Sequence, residues 1–207
     1  MIAPARLAAF EVLRAVASGR VDLGSALAAA RSKLRDERDR ALAGEIATGT
    51  LRWQAAFDHL IASFANRPPA KLDPEVLEIL RMSMFQLLHL DRIPASAAVK
   101  DAVDLAGKAG KRSASGLVNA VLRRVSRERD QLPLPPRPTD TADREAALAY
   151  LSITLSHPSW LVARWLDRYG FDAAEAWAQF NNSPAPLTRR GQSDPLRCSC
   201  SCCMPAR

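Results

Sequence analysis

The sequence predicts an all-α protein, a helical bundle followed by a shorter helical segment, and three observations carry that prediction. Apolar residues recur at spacings of three and four along most of the chain, prolines and glycines fall where helices would start and stop, and no segment alternates with period two over a useful length. The chain has 207 residues and 48% hydrophobic content, which excludes a mainly disordered polypeptide and suffices for one large or two small domains around a genuine core.

From Asp39 to Phe64 the residues Leu42, Ile46, Gly49, Trp53, Phe57, Leu60 and Phe64 mark one long helix with a buried stripe, in which Gly49 lets a neighbouring helix approach closely. The next segment, Asp73 to Leu90, opens with an Asp-Pro cap and first-turn pair. It is apolar nearly all round through Val76, Leu77, Ile79, Leu80, Met82, Met84, Phe85, Leu87 and Leu88, so it belongs at the centre of the bundle. Pro94 starts a third helix with a small-residue stripe of Ala98, Val99, Ala102, Val103 and Ala106, ended by Gly107 and Gly110. Ser113 or Ser115 is expected to cap its successor, where Leu117, Val118, Val121, Leu122 and Val125 share one side at 100° per residue. Arg123, Arg124 and Arg127 fall on the other side.

Composition changes at Gln131, where QLPLPPRPTDT holds four prolines in eleven residues, too many for a helix interior. This reads as an extended spacer and a domain boundary. After it come a short helix around Arg144 to Ile153, a second opening at Pro158, and a third around Phe171 to Phe180, before a break at Asn181 to Pro186. The expected organisation is therefore a helical domain over 1–130, a linker over 131–141, a helical segment over 142–187 and an atypical, disordered cysteine-rich tail over 188–207.

Charge is concentrated. Between Lys108 and Arg129 lie seven basic side chains (Lys108, Lys111, Arg112, Arg123, Arg124, Arg127, Arg129) against the one acid Glu128, so this stretch carries +6 of the chain's +7. A single arginine of this kind is usually a solvated surface group; the cluster, with a packed face behind it, points to a polyanion. The mixed run Arg31 to Arg40, with five basic residues and three acids, reads as a solvated connection between helices.

Other chemistries find little support. No apolar stretch approaches the ~20 residues of a membrane span, and arginines interleave the first segment, so a cytoplasmic protein is expected. All four cysteines lie in the final ten residues, where Cys198, Cys200, Cys202 and Cys203 fit a tetrahedral zinc site poorly. His59, His89 and His157 share no metal-ligand spacing and read as structural; no carboxylate pair stands out as an acid-base couple. Trp53, Trp160, Trp165 and Trp177 fall at core-like helical positions, where burial is expected. The turn Gly107-Lys108-Ala109-Gly110-Lys111-Arg112 lacks the spacing of a dinucleotide or phosphate cradle.

The stretch PASAAVKDAVDLAGKAGKRSASGLVNAVLRRV resembles the closing helix pair of the NusB family, with Val118-Asn119-Ala120-Val121-Leu122 fitting its Val-Asn-x-Val-Leu helix. Upstream, GTLRWQAAFDHLIASFANRP and LEILRMSMFQLLHLDRIP are similar to the NusB-like domain that precedes the catalytic domain in the RsmB (Sun/Fmu) family of ribosomal RNA cytosine-5 methyltransferases. LSHPSWLVARWLDRYG and NNSPAPLT resemble the segment leading into that catalytic core, so the likeness covers about residues 5 to 188. It implies RNA, ribosomal RNA above all, as partner. By the same resemblance Arg6, in Ala5-Arg6-Leu7-Ala8-Ala9, takes the place of a first-helix RNA-contacting arginine, with Arg14 beside it.

The expected RNA-binding set is thus Arg6, Arg14, Lys108, Lys111, Arg112, Arg123, Arg124 and Arg127, with no catalytic residue, metal or cofactor. In full-length family members a further domain binds S-adenosylmethionine and supplies a catalytic cysteine. Here the sequence after the Pro-Leu-Thr element departs from the family at Arg189, which reads as a frame change or truncation and implies a chain that holds RNA without methylating it. Gly116 and Leu117 stand where antitermination members often carry Lys-Phe, which weakens a boxA-like specificity. Two other readings stay open: an antitermination-type module regulating transcription, docking a ribosomal protein or a second helical bundle, and a non-functional remnant.

Overall fold

The computed structural model describes residues 2–183, and those residues contain helices and no strand. The α-helices are α1 (Pro4–Ala17), α2 (Leu23–Lys33), α3 (Glu37–Arg52), α4 (Gln54–Ala65), α5 (Pro74–His89), α6 (Ala95–Lys108), α7 (Ser115–Arg127), α8 (Arg144–Ala149) and α9 (Ser159–Asn182). None is long and apolar enough to cross a membrane.

Helix α5 is the axis. Val76, Ile79, Leu80, Met82 and Met84 are all essentially without solvent contact, which gives this helix a broad apolar surface, with Glu78, Ser83 and Gln86 buried beside it. Burying each such side chain stabilises by ~1.5–3 kcal/mol, so the helix must be enclosed. α1, α3, α4, α6 and α7 enclose it through Leu13, Ile46, Phe57, Leu60, Leu105 and Leu122, all in the same apolar cluster. A smaller cluster of alanines, with Val12 and Leu34, ties α2 to α1 and α3.

The expected helix over 39–64 is two helices. Trp53, at φ −101° and ψ 18°, interrupts it and begins α4. No proline or glycine occupies that position; the cause is remote. A new helix start exposes backbone N–H groups, and that of Ala55 donates to Ser156 Oγ at 2.9 Å, a residue 101 positions later and itself held at φ 57°. The Trp53 ring then stacks on His89 at 4.7 Å, closing the corner against the end of α5.

Two further sequence expectations change. The run 31–40 is a connection only over 34–36, its flanks being the end of α2 and the start of α3. Neither Ser113 nor Ser115 caps α7, which grows instead from a single 3₁₀ turn, Arg112–Ala114.

The proline-rich segment carries no regular secondary structure over 132–138. It is pinned nonetheless. Leu132 and Leu134 pack on the main cluster, Thr154 Oγ1 donates to the Pro135 carbonyl at 2.6 Å, and Arg137 forks onto Glu175 at 2.9 and 2.8 Å. That ion pair holds the Glu175 carboxyl below its ordinary range, against the opposing effect of burial. α8 runs into one π-helical turn, Tyr150–Thr154, and α9 is two helical halves joined at Gly170, whose φ of 76° suits only glycine. A separate apolar cluster, including Leu151, Val162, Phe171 and Ala178, holds this region together.

Gly49 is the close approach expected of it. A Cβ there would lie 2.0 Å from Phe85 Cζ, so the aromatic ring of α5 rests directly on the α3 backbone. Gly49→Ala should therefore destabilise the bundle by ~1–3 kcal/mol, read as a lower urea midpoint at unchanged slope.

Candidate nucleic-acid interface

α6 and α7 lie side by side with their apolar stripes on α5, and between their outer edges runs a groove of about 740 Å³. Its floor is Ala95, Val99, Val103 and Ala120; its rim carries Lys100, Arg123 and Arg127. A second hollow of about 650 Å³ continues it toward the α6–α7 turn, sharing Val103 and Asp104 and adding Lys108 and Arg112. Among the described residues, none of these five cations has a carboxylate within ion-pairing distance. Arg123 is oriented by donating from Nε to Asn119 Oδ1 at 3.0 Å.

The arginine ladder therefore divides. Successive residues on a helix are 100° apart, so Arg123 and Arg127 share the groove edge while Arg124 turns toward α4. There its Nε donates to Glu128 at 2.9 Å and its guanidinium lies 4.9 Å from the Phe64 ring centroid. Lys111 is likewise engaged, with Nζ 3.1 Å from Asp73 and 3.9 Å from Glu75 at the start of α5. Arg14 donates to the same Glu75 at 3.0 Å and sits 5.8 Å from the Phe10 ring centroid.

Arg6 is a correction to the expected surface set. Its side chain is 11% exposed and forms an ion pair with buried Asp101, while Nε donates to Gln86 Oε1 at 2.7 Å. Asp101 also accepts from the backbone N–H of Ala3 at 3.3 Å, at the start of α1. Gln86 closes the set by donating to the Met82 carbonyl at 3.0 Å. Arg6 thus ties α1, α5 and α6 together, with most of its guanidinium committed inside the bundle.

The tryptophans also depart from expectation. Trp53 and Trp165 are partly buried, but Trp160 is 68% and Trp177 45% exposed, the latter stacked on Trp165 at 5.6 Å. α9 has only the small cluster under it, so its outer side keeps its aromatics in solvent.

Lys100, Asp104 and Asn119 complete the groove and were not among the residues singled out for binding. Their signal is present in the sequence as spacing: Lys100, Asp104 and Lys108 at intervals of four on α6, and Asn119, Arg123 and Arg127 at intervals of four on α7. The glycine turn at 107–110 joins two helices and offers no strand-to-helix phosphate cradle. No group of three His, Cys, Asp or Glu able to hold a metal ion occurs among the described residues. The four cysteines, the departure at Arg189 and the whole 188–207 tail lie outside the described residues.

An α-helical bundle presenting a basic-rimmed groove between its closing pair of helices is the class of protein defined by this geometry. The chain matches the NusB family over residues 3–127, more than half its length, and it belongs to that family. It is 35% identical over 160 residues to a probable ribosomal RNA small subunit methyltransferase B of Bacillus subtilis, covering 77% of this chain and 34% of that protein. Ribosomal RNA small subunit methyltransferase B of Pseudomonas putida is 39% identical over 185 residues, covering 89% of this chain and 39% of that protein. The chain thus spans little more than a third of the length of these relatives. The crystal structure of PH0851 shares the fold, with a TM-score of 0.66 at 18% identity over 89% of this chain and 40% of that one.

Two measurements test this description. Asp101→Ala should cost ~3–5 kcal/mol by stranding the buried Arg6 guanidinium, whereas replacing both residues with apolar ones should recover most of the loss in urea unfolding. His89, stacked on Trp53 at 4.7 Å and on Phe85 at 5.4 Å though still exposed, has its pKa lowered from 6.5 to about 4, first by desolvation and then by Arg129. The unfolded chain therefore binds this proton more readily, so stability is full above pH 6.5 and falls as pH drops from there toward about 4. A proton NMR titration should place the His89 midpoint well below that of a free histidine.

Proposed function

We propose that this chain is an RNA-binding module, the ribosomal-RNA-targeting part of a small-subunit ribosomal RNA cytosine-5 methyltransferase, acting in the cytoplasm. The observation that carries the reading is the groove: Lys100, Lys108, Arg112, Arg123 and Arg127 converge on it without carboxylate partners among the described residues. Guanidinium groups fork onto phosphate oxygens, and a rigid helix edge holds them in register without the entropy cost of ordering a loop. Single-stranded or looped RNA offers both the phosphates and unstacked bases to lie on an apolar floor. The names of the relatives from Bacillus subtilis and Pseudomonas putida support ribosomal RNA as the nucleic acid.

On this reading residues 1–130 hold RNA, the 131–141 segment carries the chain across to α8, and 142–187 leads toward whatever performs methyl transfer. Asp73 and Glu75 engage Lys111 and Arg14, and Glu128 engages Arg124, so those three cations contribute long-range field more than direct contact. Arg6 contributes only through the position of α6.

Binding to a single-stranded fragment of small-subunit ribosomal RNA should weaken with salt. Five phosphate contacts at about 0.7 each give a slope of log affinity on log salt of roughly −3.5. Arg123→Glu with Arg127→Glu should remove most of the affinity while leaving the helical circular dichroism unchanged, because both side chains are exposed. A flat salt response, or unaltered affinity in the double variant, would place any RNA site elsewhere.

A further inference from the structure

The groove contains one acid. Asp104 lies where the two hollows meet, lining both, with Lys100 one turn before it on α6 and Lys108 one turn after. It makes no ion pair or hydrogen bond among the described residues, although cations flank it on both sides. A carboxylate at the middle of a phosphate track repels the backbone passing over it, so a groove evolved only for phosphate gains nothing from it. Lys100 and Lys108 are about 12 Å apart along the helix, at a rise of 1.5 Å per residue. That separation leaves the two basic ends to take phosphates on either side of a central position from which phosphate is excluded.

What occupies the centre is therefore not phosphate; in a bound RNA strand it is a base, and one that donates hydrogen bonds to Asp104. It must also be flat and apolar on its faces, because Val99, Val103 and Ala120 form the floor. Across the groove the lining residue Asn119 has its Oδ1 committed to Arg123 Nε at 3.0 Å, which leaves its amide N–H₂ as the group able to donate. The required edge thus carries hydrogen-bond donors for a carboxylate beside an acceptor for an amide. Among the RNA bases, guanine places two adjacent donors, N1–H and N2–H, next to the O6 acceptor. Two parallel N–H donors match the two oxygens of one carboxylate as an arginine fork does.

Resting on the RNA-binding reading above, we propose that the α6–α7 groove is a subsite for one unpaired guanine, read by Asp104 at N1–H and N2–H and by Asn119 at O6. Lys100, Arg123 and Arg127 hold the phosphate on one side, and Lys108 and Arg112 hold it on the other. The Watson–Crick edge must be free, so the subsite selects single strands over duplex.

The test uses the full chain and an oligouridine carrying a single central guanine, compared with the same strand bearing inosine, which lacks only the N2 amino group. The wild-type chain should bind the guanine strand about tenfold more tightly than the inosine strand, the scale of one well-placed base contact. Asp104→Asn should bring the two strands to within about twofold of each other while keeping, or strengthening, binding to the inosine strand, since it removes a negative charge. Asn119→Ala is the second variant and should weaken both strands together, because O6 is common to guanine and inosine. Equal affinity of the wild-type chain for both strands, with salt-dependent binding intact, would overturn the guanine subsite and leave the RNA reading standing. Duplex RNA binding as tightly as the single strand would do the same. Failure to bind any RNA, with concentration-dependent self-association in sedimentation, would assign the groove to a second copy of the chain and overturn both.

Discussion

A helix that is apolar over most of its circumference cannot stay at a surface, and α5 is such a helix, its buried polar groups Glu78 and Gln86 each hydrogen-bonded within the bundle. Its burial dictates the position of every neighbour: α1, α3, α4, α6 and α7 each turn an apolar stripe toward it, and polar residues on those helices either point away or, like Arg6, Asp58 and Asp101, are paired where they turn inward. On α7 that rule sends Val118, Val121, Leu122 and Val125 inward and leaves Arg123 and Arg127 outside. On α6 it sends Ala98, Ala102, Leu105 and Ala106 inward and leaves Lys100, Asp104 and Lys108 at the surface or near it. The basic groove is the outward consequence of an apolar axis, and it is rigid because both of its walls are anchored to that axis.

The anchoring has a polar component as well. Arg6, Gln86 and Asp101 are buried together between α1, α5 and α6, where an unpaired charge would be costly and a paired one fixes relative position. Asp101 satisfies both the Arg6 guanidinium and a backbone N–H at the start of α1, so α1 and α6 are set relative to each other by one carboxylate. A comparable clasp operates farther along the chain, where Arg137 grips Glu175 and its guanidinium also lies 5.0 Å from the Phe171 ring centroid. The proline-rich segment is thereby held against α9.

Much of this was legible before any coordinates. The identity of α5 as the centre, the stripe of α7, the close approach at Gly49 and the helix break near Gly170 all follow from local spacing, because each depends on residues within one or two turns. The break at Trp53 does not, because the group that satisfies the new helix start is Ser156, more than a hundred residues away. Arg6 reads as a surface cation for the same reason: its partners are Gln86 and Asp101, and nothing near it in sequence announces them. Trp160 and Trp177 read as core because aromatic residues at helical spacing usually are; α9, lying over a small cluster, has too little partner surface to cover them.

The candidate site was half legible. Charge density along the chain points to the pair of helices that line the groove, but density alone does not distinguish a cation that is free from one already engaged, and Lys111, Arg124 and Arg14 are engaged. Conversely, Lys100 and Asp104 stand outside the dense basic run and become part of the site only when α6 is laid beside α7. The most direct measurement is amide NMR on the chain titrated with a single-stranded ribosomal RNA fragment. The account predicts that the largest shifts fall on α6 and α7 around Lys100, Asp104, Asn119 and Arg123. Shifts concentrated instead on the exposed aromatics of α9, or on α1 around Arg14, would contradict it.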